Sequence, residues 1–188
     1  MSRRTFDLLL SLAGAVLTLI FLVAGILLMV GYSYANSNVH DQLAAQKIYF
    51  PPAGDDALKP PEIGKYLNQY AGQQLVNGAQ AEAYADHFIA VHLTEVAGGQ
   101  TYAQVSAKAL ADPTNEELQG QVATLFKGET LRGLLLNAYA FWKLGQISLW
   151  AAIAAFISAA LLGVLTILGF VHWARAPREA TIGAVTAE

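Results

Sequence analysis

The feature that most constrains this chain is the run from Ile147 to Val171, which has no charged residue over about 25 positions. A helix needs about 20 mainly apolar residues to cross the roughly 30 Å hydrocarbon core of a bilayer. A second run, Leu8–Gly31, is also free of charge over about 24 positions. The two runs therefore predict two transmembrane helices, and they account for the excess of hydrophobic residues, 55% of the chain, over the share usual in a soluble protein.

Both apolar runs are predicted to continue as helix beyond the bilayer. Residues of the first helix keep a three-to-four spacing to about Gln46, and Pro51-Pro52 then ends the helical pattern. The second helix is expected to run from Gly128 to Trp173, because the segment before Ile147 keeps helical spacing while it adds polar and charged residues.

The placement of charge predicts the orientation of the two helices. Segment 32–146 carries seven Lys or Arg and eleven Asp or Glu, whereas four arginines flank the spans: Arg3, Arg4, Arg175 and Arg178. Because positive residues favour the cytoplasmic side, we expect a bacterial plasma-membrane protein with both termini inside. The predicted organisation is a cytoplasmic N-terminus (1–7), a span (8–31), an extracytoplasmic helical domain (32–146), a second span (147–171) and a disordered cytoplasmic tail (172–188). An acidic middle domain argues against nucleic-acid binding.

The N-terminus has an alternative interpretation as an export signal. Ser2-Arg3-Arg4-Thr5-Phe6 resembles a twin-arginine signal, and Ser33-Tyr34-Ala35 resembles a cleavage site. The apolar run that follows the arginines is, however, longer than the 7–15 residues usual for a signal peptide. We therefore predict an uncleaved membrane anchor.

Short helices separated by turn residues are predicted for the middle domain. Asn77 is expected to cap a helix that ends at Gly98-Gly99, and Thr101 and Thr114 are each expected to open another. Gly128 is expected to separate the helix ending at Phe126 from the long final helix. The same pattern predicts a loop at Pro51–Glu62, a weak helix or turn at Gly64–Gln74, and helices at Ala79–Val96, Thr101–Ala111 and Thr114–Phe126.

Small residues recur at helical spacing on one face of each predicted span. Small residues let helix backbones approach closely in lipid, so these positions mark a helix-packing surface. The surface has two interpretations, packing between the two spans of this chain or contact with another membrane protein. Its residues are Ala151, Ala155, Ala159 and Gly163 on the second span and Gly14, Thr18 and Gly25 on the first.

No catalytic, cofactor-binding or metal-ligating residue is assigned from the sequence. The chain has no cysteine, and it lacks a nucleophile elbow, a phosphate-binding glycine loop and a haem-attachment motif. His87 and His92 are five residues apart, which separates them by about 140° around a helix, so a shared metal is not expected. Glu129 and Arg132, three residues apart, are a possible polar contact above the membrane, either as a local ion pair or through Arg132 to a lipid phosphate or a partner.

Several short blocks resemble a family of small two-span membrane proteins of high-GC Gram-positive bacteria. Some members carry the label aromatic ring-opening dioxygenase, but no set of metal ligands for that chemistry is visible in this sequence. The resemblance implies location and topology, and it assigns no site. Its blocks are Ile48-Tyr49-Phe50-Pro51, Tyr70-Ala71-Gly72-Gln73, Ala83-Tyr84-Ala85-Asp86, Gly99-Gln100-Thr101-Tyr102 and the segment from Gly128 to Tyr139.

The sequence thus indicates an all-α membrane protein with two transmembrane helices and a helical extracytoplasmic domain between them. The leading hypothesis is an accessory or structural subunit, and not an enzyme, of a larger membrane complex such as a respiratory assembly. It follows from the small-residue surfaces and the absence of a catalytic motif. The alternative is a stand-alone sensor or ligand-binding protein. In that case five aromatic residues of the middle domain would line a pocket and not its core: Tyr49, Phe50, Tyr66, Tyr70 and Tyr84.

Overall fold

The computed structural model describes residues 2–177, so most of the predicted tail, from residue 178 onward, lies outside the described residues. No β-strand occurs within 2–177, and the prediction of an all-helical chain is confirmed for this part. A single π-helical turn, Ala85–Ile89, joins two of the helices, and short 3-10 turns occupy Asp56–Leu58 and Asn68–Tyr70. The α-helices are α1 (Arg3–Ala45), α2 (Pro61–Leu67), α3 (Gly78–Tyr84), α4 (Ala90–Ala97), α5 (Tyr102–Ala111) and α6 (Glu116–Arg175).

Helices α1 and α6 are long and apolar enough to cross a membrane. Their most apolar windows have mean hydropathies of 2.7 and 2.5. Only 6% and 17% of the residues in those windows are buried, whereas the core helix of a soluble protein would be mostly buried. The two helices are therefore compatible with a membrane protein.

The chain divides into two compact units, and the first comprises residues 1–33 and 146–188. Its described part consists of the N-terminal portion of α1 and the C-terminal portion of α6, which lie side by side in antiparallel orientation. The residues buried between them are small, as close helix packing in lipid requires. They are Ser11 and Gly25 on α1 and Ala152, Ala155 and Ala159 on α6.

The second unit, Tyr34–Gly145, has a hydrophobic core of its own. The segment after α1 returns beside the segment before α3 through an isolated antiparallel bridge, in which the Phe50 amide donates to the Gln73 carbonyl and the Leu75 amide donates to the Ile48 carbonyl, both at 2.9 Å. The largest fully buried side chains of this unit are Phe50, Leu43, Ile63, Leu67, Leu75, Leu125, Leu135 and Val105.

Local sequence signals predicted several helix ends correctly. The Asn77 side chain accepts a hydrogen bond from the Gln80 amide at the start of α3, and Gly98 adopts a left-handed conformation (φ 57°) at the end of α4. Thr101 and Gln104 form the expected reciprocal capping box of α5. The predicted cap at Thr114 is wrong: Asn115 caps α6, with its side chain accepting from the Leu118 amide, and the Thr114 hydroxyl donates to Asp112 instead.

The predicted helix break at Gly128 is wrong, because α6 continues without interruption from Glu116 to Arg175. Glycine in a helix interior costs about 1 kcal/mol relative to alanine, which tertiary contacts readily offset. Here the missing side chain has a packing purpose: a Cβ at Gly128 would collide with Leu93 of α4. The glycine therefore marks a close helix contact and not a helix end.

The proline-rich segment after α1 is more regular than predicted. The expected loop Pro51–Glu62 contains a 3-10 turn capped by Asp55, and α2 begins inside it at Pro61. Proline at the first position of a helix is favourable because that position has no helical amide bond to lose. The expected helix Ala79–Val96 is present, but the π-helical turn divides it, a feature that no residue pattern in the sequence signals.

Candidate functional site

Side chains of one helix fill glycine positions of the other along the first unit. A Cβ at Gly14 would lie 2.5 Å from the Thr166 hydroxyl, and a Cβ at Gly169 would lie 2.5 Å from the Ser11 hydroxyl. At Gly25 the same atom would lie 2.7 Å from the Phe156 ring. No real Cβ tolerates such distances, so these glycines allow α1 and α6 to approach closely within one chain.

Three of the four small residues predicted to form a packing surface on the second span lie at the contact with α1, and the fourth does not. Ala155 and Ala159 are buried in the first unit, and Gly163 faces the Thr18 methyl group of α1, 3.6 Å from a Cβ built on the glycine. Ala151 is exposed, and its neighbour Ala152 is fully buried in its place. Spacing of exactly four residues drifts around a helix of 3.6 residues per turn, which explains the shift of one position.

Polar groups meet at the end of the first unit that contains both helix termini. The Asp7 carboxylate Oδ2 lies 3.5 Å from His172 Nε2, and the same nitrogen lies 3.5 Å from an Arg3 guanidinium nitrogen. The Asp7 side chain is only 15% exposed, and its Oδ2 has no hydrogen-bond partner in the described part of the chain. The sequence alone does not signal this contact, because residues 165 positions apart carry no pattern that indicates proximity.

Arg132 is the centre of a polar network in the second unit. One of its terminal nitrogens donates to Asp86 Oδ1 at 2.9 Å, and the other lies 3.5 Å from Glu129 Oε2. The predicted contact with Glu129 is therefore present, but the shorter contact is to Asp86, in the π-helical turn. The Arg132 Nε is buried without a hydrogen-bond partner. The π-helical turn thus supplies the shorter of the two contacts, which ties that turn to α6.

Tyr139 extends this network by two turns of α6. Desolvation raises the pKa of Tyr139 above its usual value of 10.0, and the Glu82 charge, a hydrogen bond to Glu82 and the Asp86 charge raise it further. The phenol therefore stays protonated and donates to Glu82. Burial likewise raises the pKa of Tyr84. The network holds α3 and the π-helical turn against α6, which is a structural arrangement, since each charged group has a partner.

Three of the five aromatic residues proposed as a pocket, Phe50, Tyr70 and Tyr84, pack together. The Phe50 ring is buried and contacts Tyr70 and Tyr84 at centroid distances of 5.2 and 5.4 Å. The Tyr66 ring stacks on His87 at 3.4 Å, nearly parallel. These contacts favour a core role over a pocket, and Tyr49 is exposed on the surface instead.

A groove of about 290 Å³ runs between α1 and α6 within the second unit. One wall carries carboxamide groups on successive turns of α1, with Gln42 donating to Asn38 at 2.8 Å. The opposite wall is formed by Leu134, Asn137 and Phe141 of α6. The Asn137 carboxamide makes no hydrogen bond within the described residues, and Leu134 is 61% exposed. The sequence alone does not signal this groove, although Leu134, Asn137 and Phe141 recur at helical spacing.

Within residues 2–177, no three His, Cys, Asp or Glu side chains are grouped so that they could hold a metal ion. The histidines are engaged separately, His87 with Tyr66 and His92 with the Phe88 carbonyl at 2.7 Å. Comparisons of the chain with protein-family models, with curated proteins and with solved structures find no match.

Proposed function

We propose that this chain is an accessory subunit of a larger membrane complex, anchored by two spans, with both termini in the bacterial cytoplasm and residues 32–146 outside. Four arginines at the ends of the spans support this orientation, since positive residues favour the cytoplasmic side. In this proposal the chain has no catalytic role. The family of two-span membrane proteins that the sequence resembles belongs to the same proposal.

The groove between α1 and α6 of the second unit is the observation that carries the proposal. It combines exposed apolar side chains, Leu134 and Phe141, with carboxamides that have unused hydrogen-bonding capacity. Leu134 and Phe141 lie two helical turns apart on one groove wall, with Asn137 between them, and an amphipathic helix can lay its apolar face into such a groove. The Tyr34 ring, 65% exposed, extends the apolar surface through an edge-on contact with Phe141.

The chemistry of the groove defines the partner. A helix with small or branched apolar residues would cover Leu134 and Phe141, and a polar side chain on that helix would pair with Asn137. A single buried carboxamide in an apolar helix contact fixes register and discriminates against other partners. The small-residue seam of the first unit is already used between α1 and α6, so the proposed contact with the partner is assigned to the groove of the second unit.

Photo-crosslinking in native membranes tests this proposal. A photoreactive amino acid at Leu134 is expected to crosslink one membrane protein that also co-purifies with the full chain in constant stoichiometry. The matched control is Leu110 of α5, which is 78% exposed and lies outside the groove. Replacing Asn137 by leucine is expected to reduce the co-purified partner severalfold while the chain itself remains folded, because the polar side chain on the partner helix would then have no counterpart in the groove.

Three outcomes would contradict the proposal. Equal crosslinking from Leu134 and Leu110 would show that the groove has no specific occupant. Recovery of the chain alone, with its membrane complexes unchanged after deletion, would remove the accessory role. A saturable rise in melting temperature with a soluble small molecule, abolished by Asn137→Leu, would instead favour the sensor alternative.

A further inference from the structure

A second cleft, in the first unit, combines an apolar channel with charged groups at one end. It has a volume of about 560 Å³ and is lined largely by leucines of α1 and α6, such as Leu10, Leu17 and Leu165. Asp7 and His172 close its polar end. Cavities of 300–1,000 Å³ are typical of sites for small organic ligands.

A smaller basic cavity adjoins the cleft through a shared residue. His172 lines both spaces, and the smaller one, of about 150 Å³, is otherwise lined by Arg3, Arg175, Ala176 and Pro177. The two guanidinium groups provide ten hydrogen-bond donors in a fork geometry suited to phosphate. Apolar space therefore leads into a phosphate-sized space between two arginines.

The charges select the headgroup that fits this arrangement. The arginines give the end of the cleft a positive balance, while the one carboxylate, Asp7, already faces His172 at 3.5 Å. The Asp7 side chain lines the cleft and is 15% exposed, so its carboxylate can accept from a hydroxyl group on the ligand. A phospholipid has a group for each part of this arrangement: its anionic phosphate matches the arginines, its headgroup hydroxyls match Asp7, and its acyl chains match the apolar channel.

We propose that this cleft is a binding site for one anionic phospholipid of the membrane. Its phosphate lies between Arg3 and Arg175, its headgroup hydroxyls reach Asp7, and an acyl chain follows the leucines between α1 and α6. Basic pockets between transmembrane helices are a recognised setting for anionic headgroups. The site rests on the membrane location proposed above and not on the partner groove, so loss of the partner contact would leave the lipid site unchanged.

Native mass spectrometry of the full chain in detergent, with phosphatidylglycerol as the probe, tests the site. Arg3→Gln is expected to lower retained phosphatidylglycerol by about fivefold, as loss of one basic contact implies. The matched control is Arg4→Gln, since the Arg4 guanidinium lies over the Trp173 ring at 5.0 Å and does not line either cavity. Equal losses in the two variants would overturn the site and indicate general surface attraction.

A second pair of variants tests the apolar part. Leu165→Trp is expected to displace the acyl chain and lower retention several-fold, whereas Leu161→Trp, at a residue equally exposed but outside the cleft, is expected to leave it unchanged. Phosphatidylcholine is expected to be retained much less than phosphatidylglycerol. Protection from melting by glycerophosphoglycerol as strong as that by the lipid would overturn the acyl-chain channel, and equal retention of phosphatidylcholine would overturn the phosphate site.

Discussion

Alanine substitution at two glycines of α6 separates a packing role from a helix-breaking role. Gly128 and Gly133 both lie inside the continuous helix Glu116–Arg175. A Cβ at Gly128 would collide with Leu93, whose Cδ1 and Cγ atoms lie 3.0 and 3.1 Å from that position. At Gly133 no atom lies within 4 Å of the same built Cβ. The two variants thus make the same chemical change in the same helix with opposite packing consequences.

The magnitudes follow from helix propensity and overpacking. Each substitution contributes about 1 kcal/mol of stability, because alanine is the better helix former. Gly133→Ala is therefore expected to raise the free energy of unfolding by up to about 1 kcal/mol. At Gly128 the added methyl must displace Leu93, which is only 7% exposed, and overpacking costs about 1–3 kcal/mol. The net effect of Gly128→Ala is a loss of up to about 2 kcal/mol.

The assay is thermal unfolding of the full chain in a mild detergent, followed by tryptophan fluorescence, with Trp142 reporting from the second unit. Gly133→Ala is expected to melt higher than the unmodified protein and Gly128→Ala lower. Shortening Leu93 in the Gly128→Ala background should recover part of the loss, because it makes room for the methyl group. If Gly128→Ala stabilised the protein as much as Gly133→Ala, the close contact with Leu93 would be refuted and a helix-end role restored.

Three further predictions concern the second unit. Asp86→Asn is expected to lower stability by about 0.5–1 kcal/mol, with a smaller difference at high salt, because the Arg132 ion pair is about one-third exposed; thermal melts at two salt concentrations measure it. In an alkaline absorbance titration of tyrosinate, Glu82→Gln is expected to lower the pKa of Tyr139 more than Asp86→Asn does, since the Glu82 contributions are larger. Because the pKa of Tyr139 is raised in the folded state, the contribution of its protonated phenol to stability is fully present below pH 10.0 and is lost as the pH rises through the folded pKa. Tyr139→Phe should remove this dependence of stability on pH. Thr101→Ala is expected to cost about 1 kcal/mol through loss of the α5 capping box, whereas Thr94→Ala, which removes a hydroxyl bonded only to its own helix, should cost less in the same melt.

Local order was predictable from the residues because its causes are local. Apolar runs longer than a bilayer predicted two long helices, and the two prolines after Ile48-Tyr49-Phe50 predicted the end of the first. Asn77, Gly98 and Thr101 predicted helix ends, since a cap is decided by a side chain and the backbone within three residues of it. The face carrying Ala155, Ala159 and Gly14 was likewise visible as a surface for close helix packing.

Only the tertiary structure decided what those surfaces contact. Gly128 has the local signature of a helix end, but its contact with Leu93, 35 positions away, makes it a packing site. Spacing along the helix indicated a possible contact between Arg132 and Glu129, and this contact is present, but the shorter contact of Arg132 is to Asp86. Asp7 and His172 meet although they lie near opposite ends of the chain. Helix propensity and capping act over one turn of chain, while contacts between helices depend on how distant segments are brought together, and no residue pattern encodes that proximity directly.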